Sequence, residues 1–348
     1  MLSALALPLG NLHAQTVNAT WDGSGGSDAD WSTKQNWGGG AGTQLVNSGQ
    51  YNLTFGGAAR LTNTNNLTGL TLDGITFNNT AGAFVLGGNS VTLIASITNN
   101  DADLQTINLP ITLNATQIFD AASGAISAGG IISGTGGLTK NGSSFDLTLT
   151  AADTYQGATT INAGTLTLAS SASLTDTSSV TINSGGTLLL EGTSQIVNDA
   201  GVTLAGGSLR MAANSTNETV GALTLSSSSI IDFGTLSGTN NMIFADSSAI
   251  GWTGTLSVWN WTQGTDHLYF GSVPNSGLIS TQLGQITFYS DSGTTSLGTA
   301  RFGDLNGEVS PVPEPSAVLV GLSLLSLCGY RERRWFLRCP EARRRVFA

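Results

Sequence analysis

The segments "TTINAGTLTLA" (159–169), "VTINSGGTLLL" (180–190), "GVTLAGGSLRM" (201–211) and "GALTLSSSSIIDF" (221–233) decide the fold. Laid under one another, they align two apolar columns. Ile161, Ile182, Leu204 and Leu225 recur at steps of 21, 22 and 21 residues. Leu166, Leu188, Leu209 and Ile231 recur at steps of 22, 21 and 22. Within each segment apolar residues alternate with polar ones, the period of a strand. Asn, Ser or Gly separates the two short strands, as a turn requires. One such unit cannot bury its apolar face, but stacked units align the columns into a continuous core. The expected fold is therefore all-β: a parallel β-helix (solenoid). Neighbouring coils should lie about 4.8 Å apart, so roughly ten coils over residues 51–250 give a rod about 45–50 Å long. An antiparallel sandwich or barrel, with strands every 8–12 residues, is the alternative that strand spacing leaves open.

The period continues upstream. Leu72, Leu93 and Leu113 form one expected column, and Phe77, Ile97 and Ile118 a second. The register around residues 119–158 is not evident. Composition agrees with a packed, uncharged body. Only 10% of residues are charged, against a usual ~25%, while 40% are apolar, so the chain can bury a core. Of 12 Lys and Arg residues, seven lie between Arg331 and Arg345, which leaves the body to its acids and a formal charge of −10 for the chain. An acidic body repels nucleic acid and anionic membranes, so no nucleic-acid partner is expected. Both cysteines, Cys328 and Cys339, lie in the same basic tail, so the body has no disulfide.

The stretch 136–174 carries Gly137, Leu138, Lys140 and Gly142, then Thr154, Tyr155 and Gly157, then Gly164, Thr165 and Leu166. This order resembles the autotransporter-associated β-strand repeat, with Asp153 where Asn is usual. The resemblance implies a surface-exposed β-helical stalk. No C-terminal series of amphipathic strands for a membrane barrel accompanies it.

The flanks differ from the repeats. Trp21, Trp31 and Trp37 stand among Gly, Ser and Asp in residues 15–50, and a further aromatic group (Trp252, Trp259, Trp261, Tyr269, Phe270, Phe288, Tyr289) occupies residues 251–310. A solenoid exposes strand edges at its ends, so both regions read as aromatic-rich terminal caps. Exposed indoles could instead meet sugars. Trp259 and Trp261 are the candidate glycan contacts.

Residues that could carry chemistry are few. His267 is the only histidine beyond residue 14, and one imidazole without visible partners makes neither a zinc site nor a triad. Asp28 with Asp30, and Asp101 with Asp103, have the alternation that puts paired carboxylates on one strand face. Such pairs can serve glycoside hydrolysis or calcium, yet Asp is also a favoured turn residue. Arg60, Lys140 and Arg210 are the only bases in the repeats that a polysaccharide lyase could use, and they are far apart. No catalytic, cofactor-binding or metal residue is assigned, no cofactor is expected, and the chain reads as a non-enzymatic protein. A polysaccharide-binding or polysaccharide-degrading β-helix is the alternative.

Two terminal segments look like addresses. Met1–Ala14 is apolar, too short to span a bilayer, and ends in Leu12, His13 and Ala14 before Gln15, as a signal peptide would. Near the other end, Pro313, Glu314 and Pro315 precede an apolar run, Ala317 to Tyr330, which reads as a short C-terminal apolar helix. Arg331, Arg333 and Arg334 follow as a stop-transfer cluster. The order resembles the PEP-CTERM sorting signal. The resemblance implies an exosortase-type membrane processing enzyme as partner, transient membrane association, and final placement at the cell surface or in the extracellular matrix, where polysaccharide is a second candidate partner. The expected organisation is 1–14 signal peptide, 15–50 N-terminal cap, 51–250 solenoid, 251–310 C-terminal β cap and 311–348 sorting segment.

Overall fold

The computed structural model describes residues 16–312, apart from 27, 39–41, 215 and 304–306. The signal segment Met1–Ala14, the Pro313–Glu314–Pro315 motif and Arg331, Arg333 and Arg334 lie outside the described residues. Within them the chain is all-β and winds into a parallel β-solenoid. Helix is confined to one turn at Ser280–Leu283 and a 3-10 turn at Lys34–Asn36.

Each coil presents three faces. The first face contains the column read from the sequence: Ile161 pairs with Ile182, Ile182 with Leu204, and Leu204 with Leu225. It runs back through Lys140, Phe119, Ile97, Ile75 and Leu53 to Ala19. These ten stacked positions define a rod about 43 Å long at the usual strand spacing. The second face contains the other expected column, Leu166, Leu188, Leu209 and Ile231, extended by Val258 and Phe288. Leu188 and Leu204 point into the core with no exposed surface, while Thr187 faces outward. Residues 119–158 continue the same stack, since Leu138–Asn141 lies between Gln117–Asp120 and Thr159–Ile161.

The upstream columns divide. Leu72, Leu93 and Leu113 do pair in sequence. The column Phe77, Ile97, Ile118 does not form: Ile97 pairs with Ile75 and Phe119, Phe77 pairs with Asn99, and Ile118 is 40% exposed. In a strand a shift of one residue turns a side chain to the other face. Asn99 occupies the inward place beside Phe77 because its amide donates to the carbonyls of Asp103 and Ala125, 3.0 Å each. A polar residue inside and an isoleucine outside hide the true register.

The third face contains the expected column Leu72, Leu93 and Leu113 at its upstream end, and its downstream part was not visible as a column. It runs Leu70, Val91, Ile111 and Ile132, then Asp153, Leu174 and Ile196, then Glu218, Met242 and Leu268. Its inward positions include two carboxylates, so apolar periodicity misses them. At the corner after the first face, Asn141, Asn162 and Asn183 stack as a ladder of side-chain amides, 2.9 and 2.7 Å apart. The following Gly164, Gly185 and Gly206 have φ of +67°, +85° and +97°, the left-handed region that glycine enters without strain.

The two ends carry the aromatic residues. Trp21, Trp31 and Trp37 are buried and meet edge-to-face, with Trp37 5.7 Å from Phe55. Each indole N–H has an acceptor: Trp21 at the Ala59 carbonyl, Trp31 at Asn63 Oδ1 and Trp37 at the Trp31 carbonyl. At the far end the direction of pairing changes. Glu308–Pro311 runs antiparallel to both Asp266–Phe270 and Ser296–Phe302, and so ends the parallel stack.

Candidate functional site

The repeat motif residues flank the first-face strand, with Lys140 at its end and Tyr155 and Gly157 before the next one. Lys140 sits in the first-face column between Phe119 and Ile161 and has no exposed surface. Its Nζ donates to the carbonyls of Asn141 (2.6 Å), Gly142 (2.8 Å) and Ala163 (3.1 Å). All three ammonium hydrogens are thereby used at a place where the backbone turns away from its ladder. Burial lowers the Lys140 pKa to about 8, against the pull of Asp146 and Asp120. The glycines of the motif are close-approach positions. A Cβ on Gly142 would strike the Ala121 carbonyl, and one on Gly157 would strike the backbone of Gly136 and Gly137.

Tyr155 is buried, and its Oη lies 2.6 Å from Thr159 Oγ1. Thr159 lies 3.0 Å from Thr177 Oγ1, which donates to the Gly157 carbonyl at 2.9 Å. Burial pushes the Tyr155 phenol above its usual range. Lys140, Tyr155 and their glycines thus tie one coil to the next, and neither the Lys140 nor the Tyr155 side chain reaches solvent.

On the third face two carboxylates stand where the strand ladder is interrupted. Asp153 Oδ1 accepts the Ile132 N–H at 2.7 Å. Glu218 accepts from Gln195 N–H through Oε2 at 2.8 Å and from Ile196 N–H through Oε1 at 2.9 Å. Burial raises both pKa values to about 7, partly offset by these N–H donors. Asp266, which accepts from Asn240 and from Thr262 N–H, is raised by burial as well. A buried carboxylate of raised pKa marks many catalytic acids. Here Asp153 and Glu218 sit in one column with Leu174 and Ile196 between them, and each faces backbone rather than a cleft.

The residues singled out from sequence do not come together. Asp28 Oδ1 accepts the Asp30 N–H and Asp101 Oδ1 accepts the Asp103 N–H, so each pair forms one Asx turn at the surface. Arg210 points out between buried Leu209 and Met211 and meets Asp232 at 3.4 Å. His267 Nδ1 lies 2.6 Å from Glu308 Oε1 and its ring stacks on Tyr269, which ties the last described strand to the solenoid. Trp261 is buried between Phe233 and Phe288, with ring centroids 5.2 and 4.7 Å away. Trp259 is half-buried against Gly293. Among the described residues, no group of three His, Cys, Asp or Glu side chains is placed to hold a metal.

A concave surface lies beside the third face. Two adjoining depressions, about 600 Å³ and 350 Å³, share Asn198. They are lined in turn by Ser173–Thr175, Ser194 with Ile196 to Asp199, Thr219 and Val220, Ile243 to Asp246, and Gly271 to Val273 with Ser276. These segments belong to five successive coils, so the groove runs along the solenoid beside the third face. Sequence reading missed it because its lining mixes outward strand positions with loop residues of different coils, which share no apolar period. Compared with known proteins, the chain matches no family model, no curated protein and no solved structure.

Proposed function

We propose that this chain is an exported, non-enzymatic β-solenoid that serves as a surface or extracellular-matrix structural element, delivered by a C-terminal sorting segment of PEP-CTERM type. The supporting observation is how the last described strand is held. Glu308–Pro311 is inserted between two strands, and the last described backbone bond of the chain runs from Val312 N–H to the Thr299 carbonyl at 2.8 Å. The motif Pro313, Glu314, Pro315 follows at once. Cleavage near Pro315 therefore removes none of the described contacts. Pro313 and Pro315 favour extended backbone around Glu314, which a membrane protease can grip. The aromatic clusters at the two ends act as caps that keep open strand edges from pairing with other chains. The apolar run Ala317 to Tyr330 and Arg331, Arg333 and Arg334 that follow it lie outside the described residues; in sequence they have the order of a transient stop-transfer signal with its arginines on the cytoplasmic side.

The reading is tested by the intact mass of the protein recovered from its native envelope. The expected mass ends near Pro315, and replacing Pro313, Glu314 and Pro315 by Ala leaves an uncut, membrane-bound form. A mature protein that retains the chain through Ala348 refutes sorting by cleavage.

A further inference from the structure

We infer that the groove beside the third face is a binding site for an extended, uncharged polysaccharide. Its ionisable lining consists of Asp199 and Asp246 alone, with no Lys, Arg or His. On a chain of net charge −10, such a groove repels uronates, sulfated glycans, teichoic-type phosphates and nucleic acid. What it offers instead are hydroxyls and an amide, as at Ser194, Asn198 and Thr219, over an aliphatic floor that includes Val220. That mixture suits a neutral sugar chain, whose hydroxyls exchange hydrogen bonds while its C–H faces lie on aliphatic carbon.

The direction of the groove selects between a glycan and a peptide. An extended peptide binds most readily by adding to an open strand edge, through backbone hydrogen bonds. Here the groove crosses the strands, because it follows the axis through five coils, and the N–H and C=O groups of those coils are engaged with one another. A periodic sugar chain needs no strand edge. It crosses successive coils at steps of about 4.8 Å and passes Ser194, Asn198 and Thr219 on the way. At one end of the groove Val273 is 58% exposed, among the largest exposures of an apolar side chain in the described residues. An apolar residue left in water at the mouth of a concave surface is a mark of a contact site.

The inference goes beyond the sorting proposal and stands or falls separately, since it depends on the body alone. The test is electrophoresis of the full chain through native gels containing dissolved polysaccharide. The panel holds neutral β-glucan, mannan and galactan beside alginate and polygalacturonate. The expected result is retardation by at least one neutral polymer and none by the uronates. Asn198→Trp, at the junction of the two depressions, and Val273→Asp should each weaken that retardation at least tenfold. Both positions are exposed, so the melting temperature should stay at the wild-type value, which separates a blocked groove from a misfolded chain. The inference is overturned by retardation in uronate gels only, by none in any neutral gel, or by retardation that both folded variants retain.

Discussion

Stability should pass through a minimum near pH 7–8 and rise on both sides, because three buried groups titrate against their neighbourhood. Asp153 and Glu218 have folded pKa values of about 7, above their ordinary 3.8 and 4.5. Between those limits the folded state holds more protons than the unfolded one. Their contribution is complete at acid pH and is lost as pH rises through 7. Lys140 runs the other way, with a folded pKa of about 8 below its ordinary 10.5. Its contribution is complete above the ordinary value and is lost as pH falls towards 8. A unit of pKa is worth about 1.4 kcal/mol. From pH 5 to pH 7.5 each carboxylate therefore removes about 2 kcal/mol, and both together about 4–5 kcal/mol. At about 2–3 °C per kcal/mol for a body of this size, the melting temperature should fall by about 10 °C over that interval. The assay is urea or thermal unfolding followed by far-UV circular dichroism at pH 5, 7.5 and 10. Asp153→Asn is the discriminating variant. It keeps the oxygen that accepts the Ile132 N–H and removes the titration, so it should lower the loss between pH 5 and 7.5 by about half. Stability that rises from pH 5 to 7.5, or an unchanged slope in Asp153→Asn, refutes the burial argument.

Leu188→Ala should cost about 2–5 kcal/mol, because Leu188 is fully buried between Leu166 and Leu209, whereas Thr187→Asp on the outer side should change the unfolding midpoint little. Equal losses in the two variants would mean the faces are reversed. Glu218→Gln should lower stability by about 1–3 kcal/mol at pH 7.5, since one end of the amide must point a donor at the N–H of Gln195 or Ile196. Chemical denaturation reads it, and a variant as stable as the parent would show that the carboxylate can be replaced by a donor. Gly157→Ala should lower the melting temperature more than Gly185→Ala. A Cβ at 157 meets the backbone of the preceding coil and one at 185 meets open space, although the positive φ of Gly185 adds strain of its own.

How much of this was legible follows from which side chains face inward. Two faces could be read because Ile161, Ile182, Leu204 and Leu225, and Leu166, Leu188, Leu209 and Ile231, repeat as apolar residues at constant spacing. The same rule failed at Phe77, Ile97 and Ile118, where Asn99 replaces an apolar residue inside and Ile118 stands outside. On the third face it read the upstream column Leu72, Leu93 and Leu113 and failed downstream, where Asp153 and Glu218 hold inward positions. Periodicity reports hydrophobicity, and these sites are filled by polar groups that satisfy main-chain donors. The motif around Lys140 was legible as a pattern, but its chemistry was not. Nothing in the spacing says that the ammonium enters the core to meet three carbonyls. The groove was illegible because it depends on how strand positions and loops of different coils align, which no single repeat contains.

The buried polar groups bear on where function can lie in such a chain. A coil must turn three times, and at each corner backbone groups leave the inter-coil ladder. Unpaired and buried, each would cost about 1–3 kcal/mol. Lys140 serves three such carbonyls, Glu218 serves two N–H groups, and Gln195 serves the carbonyls of Leu168, Ala169 and Ala172 and the Gly192 N–H. Of these only Lys140 stood out as chemistry in the sequence, and the hydrogen-bonding capacity of all three is already spent on the fold. A ligand must therefore be met by outward positions and corner loops, where side chains are free of that duty. That places recognition on surfaces such as the one around Asn198 and Val273, and it makes the inward Lys140, Asp153 and Glu218 conditions of the rod rather than parts of a site.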